Sequence, residues 1–231
     1  IMQAKDLKPA SSLAQNVGFK AIAYGPPGEG KTPLIKTAPN PVMLVCEPGM
    51  LSMRDAHNIP AWEGYTVERC AEFFEWLRKS NEAKNFDTVC IDSFSQYAEI
   101  ELKKALKEVS HGLKAYGLMS ERVMDKAELL FFMPNKHVYL VCKQSTVDEG
   151  GAMKRRPYFP GQDLNVKMPH LFDAVLHVSK TFVPGFVAPT LAIRTQGTVD
   201  IMARIRTHRH DVFNELEPPD LGALIKKAMA A

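Results

Sequence analysis

Between Tyr24 and the rest of the chain lies Gly25-Pro26-Pro27-Gly28-Glu29-Gly30-Lys31-Thr32, joined directly to Pro33. A glycine, four residues and then Gly-Lys-Thr is the spacing of a loop whose backbone N–H groups can converge on phosphate oxygens without a Cβ in the way. On that reading Gly25 to Pro33 line a nucleotide, Lys31 reaches the β and γ phosphates, and Thr32 ligates magnesium. The expected cofactors are therefore ATP and Mg2+. The plain alternative, an ordinary Gly/Pro turn before a helix, does not account for the full spacing.

Two carboxylates belong with this loop. Asp92 ends the apolar run Val89-Cys90-Ile91, where a strand tip can hold magnesium through water, although an Asp there can equally cap a helix, as can Ser93. Glu47 ends the run Val42 to Cys46 and is a candidate to orient or deprotonate the attacking water; its alternative is a turn residue before Pro48-Gly49. Lys143 and Gln144 come after a further apolar run, and alternation along a strand sends one of them toward the nucleotide without saying which.

Two basic groups remain. Lys154-Arg155-Arg156 with Tyr158 and Phe159 lies in a polar stretch hinged at Gly150-Gly151, suited to track phosphates and stack on bases of a single strand, or else a solvated loop. Arg204-Ile205-Arg206 places two guanidinium groups on one face of a strand, either aimed at a common target or simply charging an edge.

The elements that must position these residues are set by periodicity. Apolar runs predict strands at 19–24, 42–46, 88–91, 137–142, 174–178, 190–194 and 201–206. Helical spacing predicts 68–78, a long helical region over 94–131 broken near His111-Gly112 and Tyr116-Gly117, and a last helix over 220–229. The helix after the phosphate loop must be short, because Pro39 and Pro41 bar its continuation. Alternating strands and helices, then a strand-rich last third, predict an α/β fold: a mostly parallel sheet flanked by helices, with antiparallel strands added at the C-terminal edge.

Length and composition bound the rest. A chain of 231 residues, 45% hydrophobic, can bury a full core, and we read residues 18–231 as one domain. Residues 1–17, which open on Ile1 before Met2, are read as a separate N-terminal segment that serves as an oligomerisation arm. A formal charge of +3 is too small to demand a polyanionic partner, so local clusters must decide. Cys46, Cys70, Cys90 and Cys142 show no metal or redox spacing and are expected to be buried, reduced thiols. Without an export signal or a spanning apolar run, the expected location is cytoplasmic.

The order of these pieces resembles a family. Gly-Pro-Pro-Gly-x-Gly-Lys-Thr is frequent in AAA+ ATPases, but those place a glutamate directly after the aspartate, where this chain has Ser93. RecA-like ATPases have serine at that position and take their glutamate from the preceding strand, the place of Glu47. Four stretches, 24–32, 42–49, 86–93 and 168–221, together look like the phage RecA-like single-strand annealing proteins, the ATPase branch of the Sak group. That resemblance implies ATP hydrolysis, weak or DNA-stimulated. It implies ATP sites between subunits of a ring or filament, completed by Arg204 and Arg206 from a neighbour, and a γ-phosphate sensor at Lys143 or Gln144. It also implies single-stranded DNA on Lys154, Arg155, Arg156 and Tyr158, a single-stranded-DNA-binding protein as a further partner, and no membrane. The setting it implies is a phage protein in the bacterial cytoplasm. The chain departs from relatives at Pro33, where they carry a small hydroxyl residue, and at Arg204-Ile205-Arg206, where they read Lys-Asp-Arg.

Overall fold

A computed structural model describes residues 7–13, 17–209 and 211–230. Its strands are β1 (Lys20–Tyr24), β2 (Pro41–Val45), β3 (Ala61–Glu63), β4 (Thr88–Asp92), β5 (His137–Cys142), β6 (Gln144–Glu149), β7 (Ala152–Pro157), β8 (Ala174–Thr181), β9 (Thr190–Arg194), β10 (Arg204–Ile205) and β11 (Leu216–Glu217). Its α-helices are α1 (Ala10–Leu13), α2 (Val67–Lys79), α3 (Phe94–Glu108), α4 (Gly112–Phe131), α5 (Asp163–Leu171) and α6 (Leu221–Ala230).

Side chains of β1, β2 and β4 are buried on both faces, which is why these strands read as unbroken apolar runs. Alternation divides them between two cores. Ile22, Tyr24 and Leu44 face α2, α3, α4 and α5, whereas Ala21, Ala23, Met43 and Val45 face α6 and the turn after the phosphate loop. Helix α2 shows how the sequence specifies this: Thr66 accepts from the Arg69 N–H at its start, and Cys70, Phe73, Phe74 and Leu77 return to one face at i, i+3, i+4 and i+7. The main sheet runs β11-β9-β8-β1-β5-β4-β2-β3, with β10 beside β8. The strands from β8 to β3 are parallel, and β9, β10 and β11 are the antiparallel additions. This is the α/β architecture expected from the sequence, a mostly parallel sheet flanked by helices with antiparallel strands added at one edge. All four cysteines are buried and free. Among the described residues, no helix is long and apolar enough to cross a membrane.

Three local expectations are corrected. The helix over Tyr116-Gly117 is continuous, because one glycine costs only about 1 kcal/mol and good helix formers surround it; the break falls at 109–111 alone. The polar stretch after Gln144 is not a loop but a two-stranded antiparallel hairpin, β6 to β7, turned on Gly150 and Gly151 at φ 66° and 89°. The strand expected over 201–206 contracts to Arg204–Ile205, with Ile201 bridging Arg155 instead. The N-terminal segment falls partly outside the described residues; of it, Ala10–Leu13 forms a single helical turn.

Candidate functional site

The parallel strands deliver their carboxyl ends to one edge of the sheet. Tyr24 ends β1 level with Cys142 of β5 and His177 of β8, and the phosphate loop leaves from there. Gly25 runs so close to β8 that a Cβ would come within 2.0 Å of the Val178 carbonyl oxygen. Gly30 sits at φ 86° with Leu191 where a side chain would go. The loop is thus moulded by the sheet beneath it. It leads into a 3-10 turn, Pro33–Thr37, in place of the short helix expected there, so the helix dipole at the loop amounts to a few peptide units. Pro33 opens that turn and brings no N–H.

Lys31 folds its ammonium onto the carbonyls of Gly25 (2.8 Å) and Pro26 (2.6 Å), while the hydroxyl of Tyr139 donates to the Lys31 carbonyl at 3.0 Å. Burial lowers the Lys31 pKa, opposed by Asp92 and, more weakly, by Glu47 and Glu29 among others. Thr32 donates to Asp92 Oδ2 at 2.5 Å. Asp92 is 4% exposed, and burial pushes its pKa up to about 6 against the Thr32 bond. Ser93, which follows a cis Asp92-Ser93 peptide bond, caps α3 by accepting from the Gln96 N–H at 3.1 Å. Cap and carboxylate are therefore separate residues, which leaves Asp92 to the loop. The Glu29 carboxylate is tied back to the Lys180 N–H, a bond that holds the loop's outer turn to β8.

A cavity of about 450 Å³ opens beside the loop, lined by Gly25, Pro26, Pro27, Lys31, Glu47, Ser93, Val141, Cys142, Lys143 and Gln144. Lys143 turns toward α3, donating to Gln96 Oε1 (2.7 Å) and Glu99 Oε1 (3.0 Å), with Glu47 Oε2 at 3.9 Å. Gln144 turns the other way, its Oε1 lying 3.1 Å from His177 Nε2. The two neighbours thus face opposite sides of the same cavity.

The donor set suits a Mg-triphosphate. Thr32 and Asp92 present two hard oxygens at one point, and Lys31 holds its ammonium over the turn of the loop at Gly25. No cluster of three or more His, Cys, Asp or Glu that could hold a metal occurs among the described residues, so a magnesium ion at this point would rely on phosphate and water for its other ligands.

The basic groups stand elsewhere. In the hairpin, Lys154 and Arg156 lie 3.4 and 3.9 Å from Glu149, and Arg155 pairs with Asp200 at 2.6 Å. Their charge is largely matched within the chain. Tyr158 lies at the hairpin's exit, its N–H donating to the Lys143 carbonyl. Phe159 is 1% exposed and packs edge-on to Phe94 at 6.4 Å, so it belongs to the core and cannot stack on bases. Arg204 and Arg206 lie at the opposite end of β8, where Ile205 pairs with Ala174. Arg204 donates to the carbonyls of Phe172 (3.0 Å) and Pro169, and Arg206 to those of Leu171 (3.3 Å) and His170. Both close the C-terminal end of α5, satisfying carbonyls that a helix leaves open. Within one chain they do not meet the loop.

Sequence reasoning missed His177 and Tyr139. His177 interrupts the apolar run Ala174-Val175-Leu176-His177-Val178, and that interruption was the available signal.

A family profile described as an AAA domain matches residues 18–207. No curated protein matches the chain. Among solved structures, a KaiC-like protein of the hyperthermophilic archaeon Pyrococcus horikoshii OT3 aligns at 12% identity with a TM-score of 0.46, covering 84% of this chain and 82% of that one. Ser93 had set the chain apart from AAA+ enzymes in the sequence, and the profile gathers it under an AAA description all the same. With its phosphate loop, its strand-tip aspartate and a profile match over most of its length, the chain belongs to the AAA domain family of P-loop ATPase folds.

Proposed function

We propose that this chain hydrolyses ATP with magnesium, as an oligomer that holds single-stranded DNA for annealing or strand exchange of the kind phages use in recombination. The observation that carries the hydrolytic part is the shared cavity of Lys31, Glu47, Lys143 and Gln144 beside the Thr32–Asp92 pair. Bound magnesium would supply charge neutralisation at the phosphates. Lys31 would hold phosphate oxygens, Thr32 and Asp92 would hold the ion, and Glu47 would accept the proton of an attacking water. Lys143, placed between Glu99 and Glu47, would keep the Glu47 carboxylate turned inward.

The DNA part rests on the resemblance and on continuity: β5 carries the cavity residues directly into the β6–β7 hairpin, so a change at Gln144 is a change at the hairpin's root. In an oligomer, Arg204 or Arg206 would have to leave its α5 carbonyls to reach a neighbour's phosphate. A second reading, a P-loop protein with no DNA role, is favoured by the pairing of Arg155 with Asp200 and of Lys154 with Glu149.

The test is ATPase rate with and without single-stranded DNA at low salt, alongside size-exclusion with an ATP analogue. Stimulation with assembly supports the DNA reading; turnover indifferent to DNA leaves only the ATPase. Lys31→Ala should abolish nucleotide binding, whereas Glu47→Gln should bind normally and stop turnover. Loss of binding in Glu47→Gln would remove Glu47 from its role.

A further inference from the structure

His177 has no part in the chemistry above, yet it is 2% exposed at the carboxyl edge of β8, level with Tyr24. Its ring lies against that of Tyr24, centroids 5.0 Å apart. The Tyr24 hydroxyl in turn reaches the carbonyls of Arg155 (2.9 Å) and Met202 (2.7 Å), which fastens β7. On its other side His177 Nε2 meets Gln144 Oε1, at the start of β6. Both hairpin strands are therefore tied to one buried imidazole and its aromatic neighbour.

We propose that His177 is the positioning residue that fixes which end of the Gln144 amide faces the nucleotide cavity; this rests on the ATP-binding reading. Among the described residues the Gln144 side chain makes no other hydrogen bond, so its orientation depends on this contact. A neutral imidazole offers one N–H and one lone pair. Burial, with Arg155, Arg194 and Lys31 nearby and Asp200 opposing, keeps His177 neutral by lowering its pKa to about 4. If Nε2 carries the proton, Gln144 accepts through Oε1 and turns its NH2 toward the cavity, where it can donate to a phosphate. If Nε2 is bare, the amide must reverse and present an oxygen that repels the same phosphate. Ser179 Oγ, 3.4 Å from Nδ1, can serve either tautomer, as acceptor or donor. An anion in the cavity therefore selects the Nε2–H form, and the choice is transmitted to the root of the hairpin.

The experiment uses the full chain and two nucleotides, ADP and a non-hydrolysable ATP analogue, with affinities read by fluorescence titration. His177→Phe keeps the ring against Tyr24 and removes the hydrogen bond. It should weaken the ATP analogue by about tenfold, the scale of one hydrogen bond to a charged group, and leave ADP unchanged. His177→Gln, whose amide reaches the position of Nε2, should restore most of that loss, while His177→Asn, which mimics Nδ1 instead, should not. An unchanged ratio of ATP-analogue to ADP affinity in His177→Phe would overturn the proposal. So would equal loss of both nucleotides in all three variants, the mark of a purely structural role. Nitrogen-15 NMR of histidine-labelled wild-type protein gives a reading that needs no variant: the ATP analogue, and not ADP, should enrich the Nε2–H tautomer. An Nδ1–H signature with the ATP analogue would refute the mechanism. A wild type that binds neither nucleotide would overturn the ATP reading itself, whereas binding with an indifferent His177 sinks only this inference.

Discussion

Asp92→Asn separates the function of the site from its stability. Burial raises the Asp92 pKa from 3.8 to about 6, so the folded chain holds that proton more tightly than the unfolded one. A carboxyl whose folded pKa is raised weakens folding as pH climbs: the penalty is absent below about 3.8, grows between 3.8 and 6, and is complete above. A shift of about two units corresponds to roughly 3 kcal/mol. For a chain of this length that is worth about 6–12 °C in Tm as an upper bound. Asparagine keeps an oxygen for the 2.5 Å bond from Thr32 and carries no charge, so it should lift the penalty. Thermal melts at pH 8 and pH 5 with a magnesium chelator should show Asp92→Asn above wild type at pH 8, with the gap roughly halved at pH 5. Effects of other groups cancel in the difference. Adding Mg-ATP should reverse the order, stabilising wild type and not the variant, because Asn is a poor magnesium ligand. A variant less stable than wild type at pH 8 without magnesium would refute the claim that Asp92 is a strained anion held for a cation.

The same geometry sets the outcome of three other substitutions. Arg204→Ala should lower stability by about 1–3 kcal/mol by opening the α5 carbonyls, read by denaturant unfolding. Mixed with Glu47→Gln subunits it should regain ATPase activity if the guanidinium also serves a neighbour; mixtures no better than the separate variants would confine Arg204 to its helix. Phe159→Ala should cost about 3–5 kcal/mol, as a buried aromatic does, with DNA affinity of the remaining folded protein unaltered in a filter-binding assay. Pro33→Ser restores a backbone N–H beside the phosphate loop and should tighten ATP several-fold by titration; unchanged affinity would mean that this position never meets the nucleotide.

What could be read from the chain alone is whatever its local order fixes. The phosphate loop carries its own geometry in eight consecutive residues, and Glu47 and Asp92 are legible because a fully buried strand announces its end by turning polar. The hairpin was hidden for the converse reason. Most of its residues are partly exposed on both faces, so Gln144–Glu149 shows no apolar alternation, and Gly150-Gly151 looks like a hinge until the two strands are seen to pair. Arg204 lies on a strand as expected and Arg206 just past its end, but their partners lie about 35 positions back at the end of α5, a helix that Pro169 disguises.

The charge of the hairpin obeys the same logic and bears on function. Lys154-Arg155-Arg156 is a cationic cluster only along the chain; in space Glu149 comes from the opposite strand and Asp200 from a segment beyond β9. A phosphate backbone landing there would have to displace those carboxylates, so its gain per contact is less than that of an unpaired lysine. On the proposed DNA role, a conformational change that frees the arginines would strengthen binding to this hairpin. The change has an available lever, since Arg155 is held at its carbonyl by Tyr24, and Tyr24 stands between the phosphate loop and His177. DNA affinity that rises with an ATP analogue and falls with ADP is the expected result of that linkage; affinity blind to the nucleotide would mean that the paired charges never part.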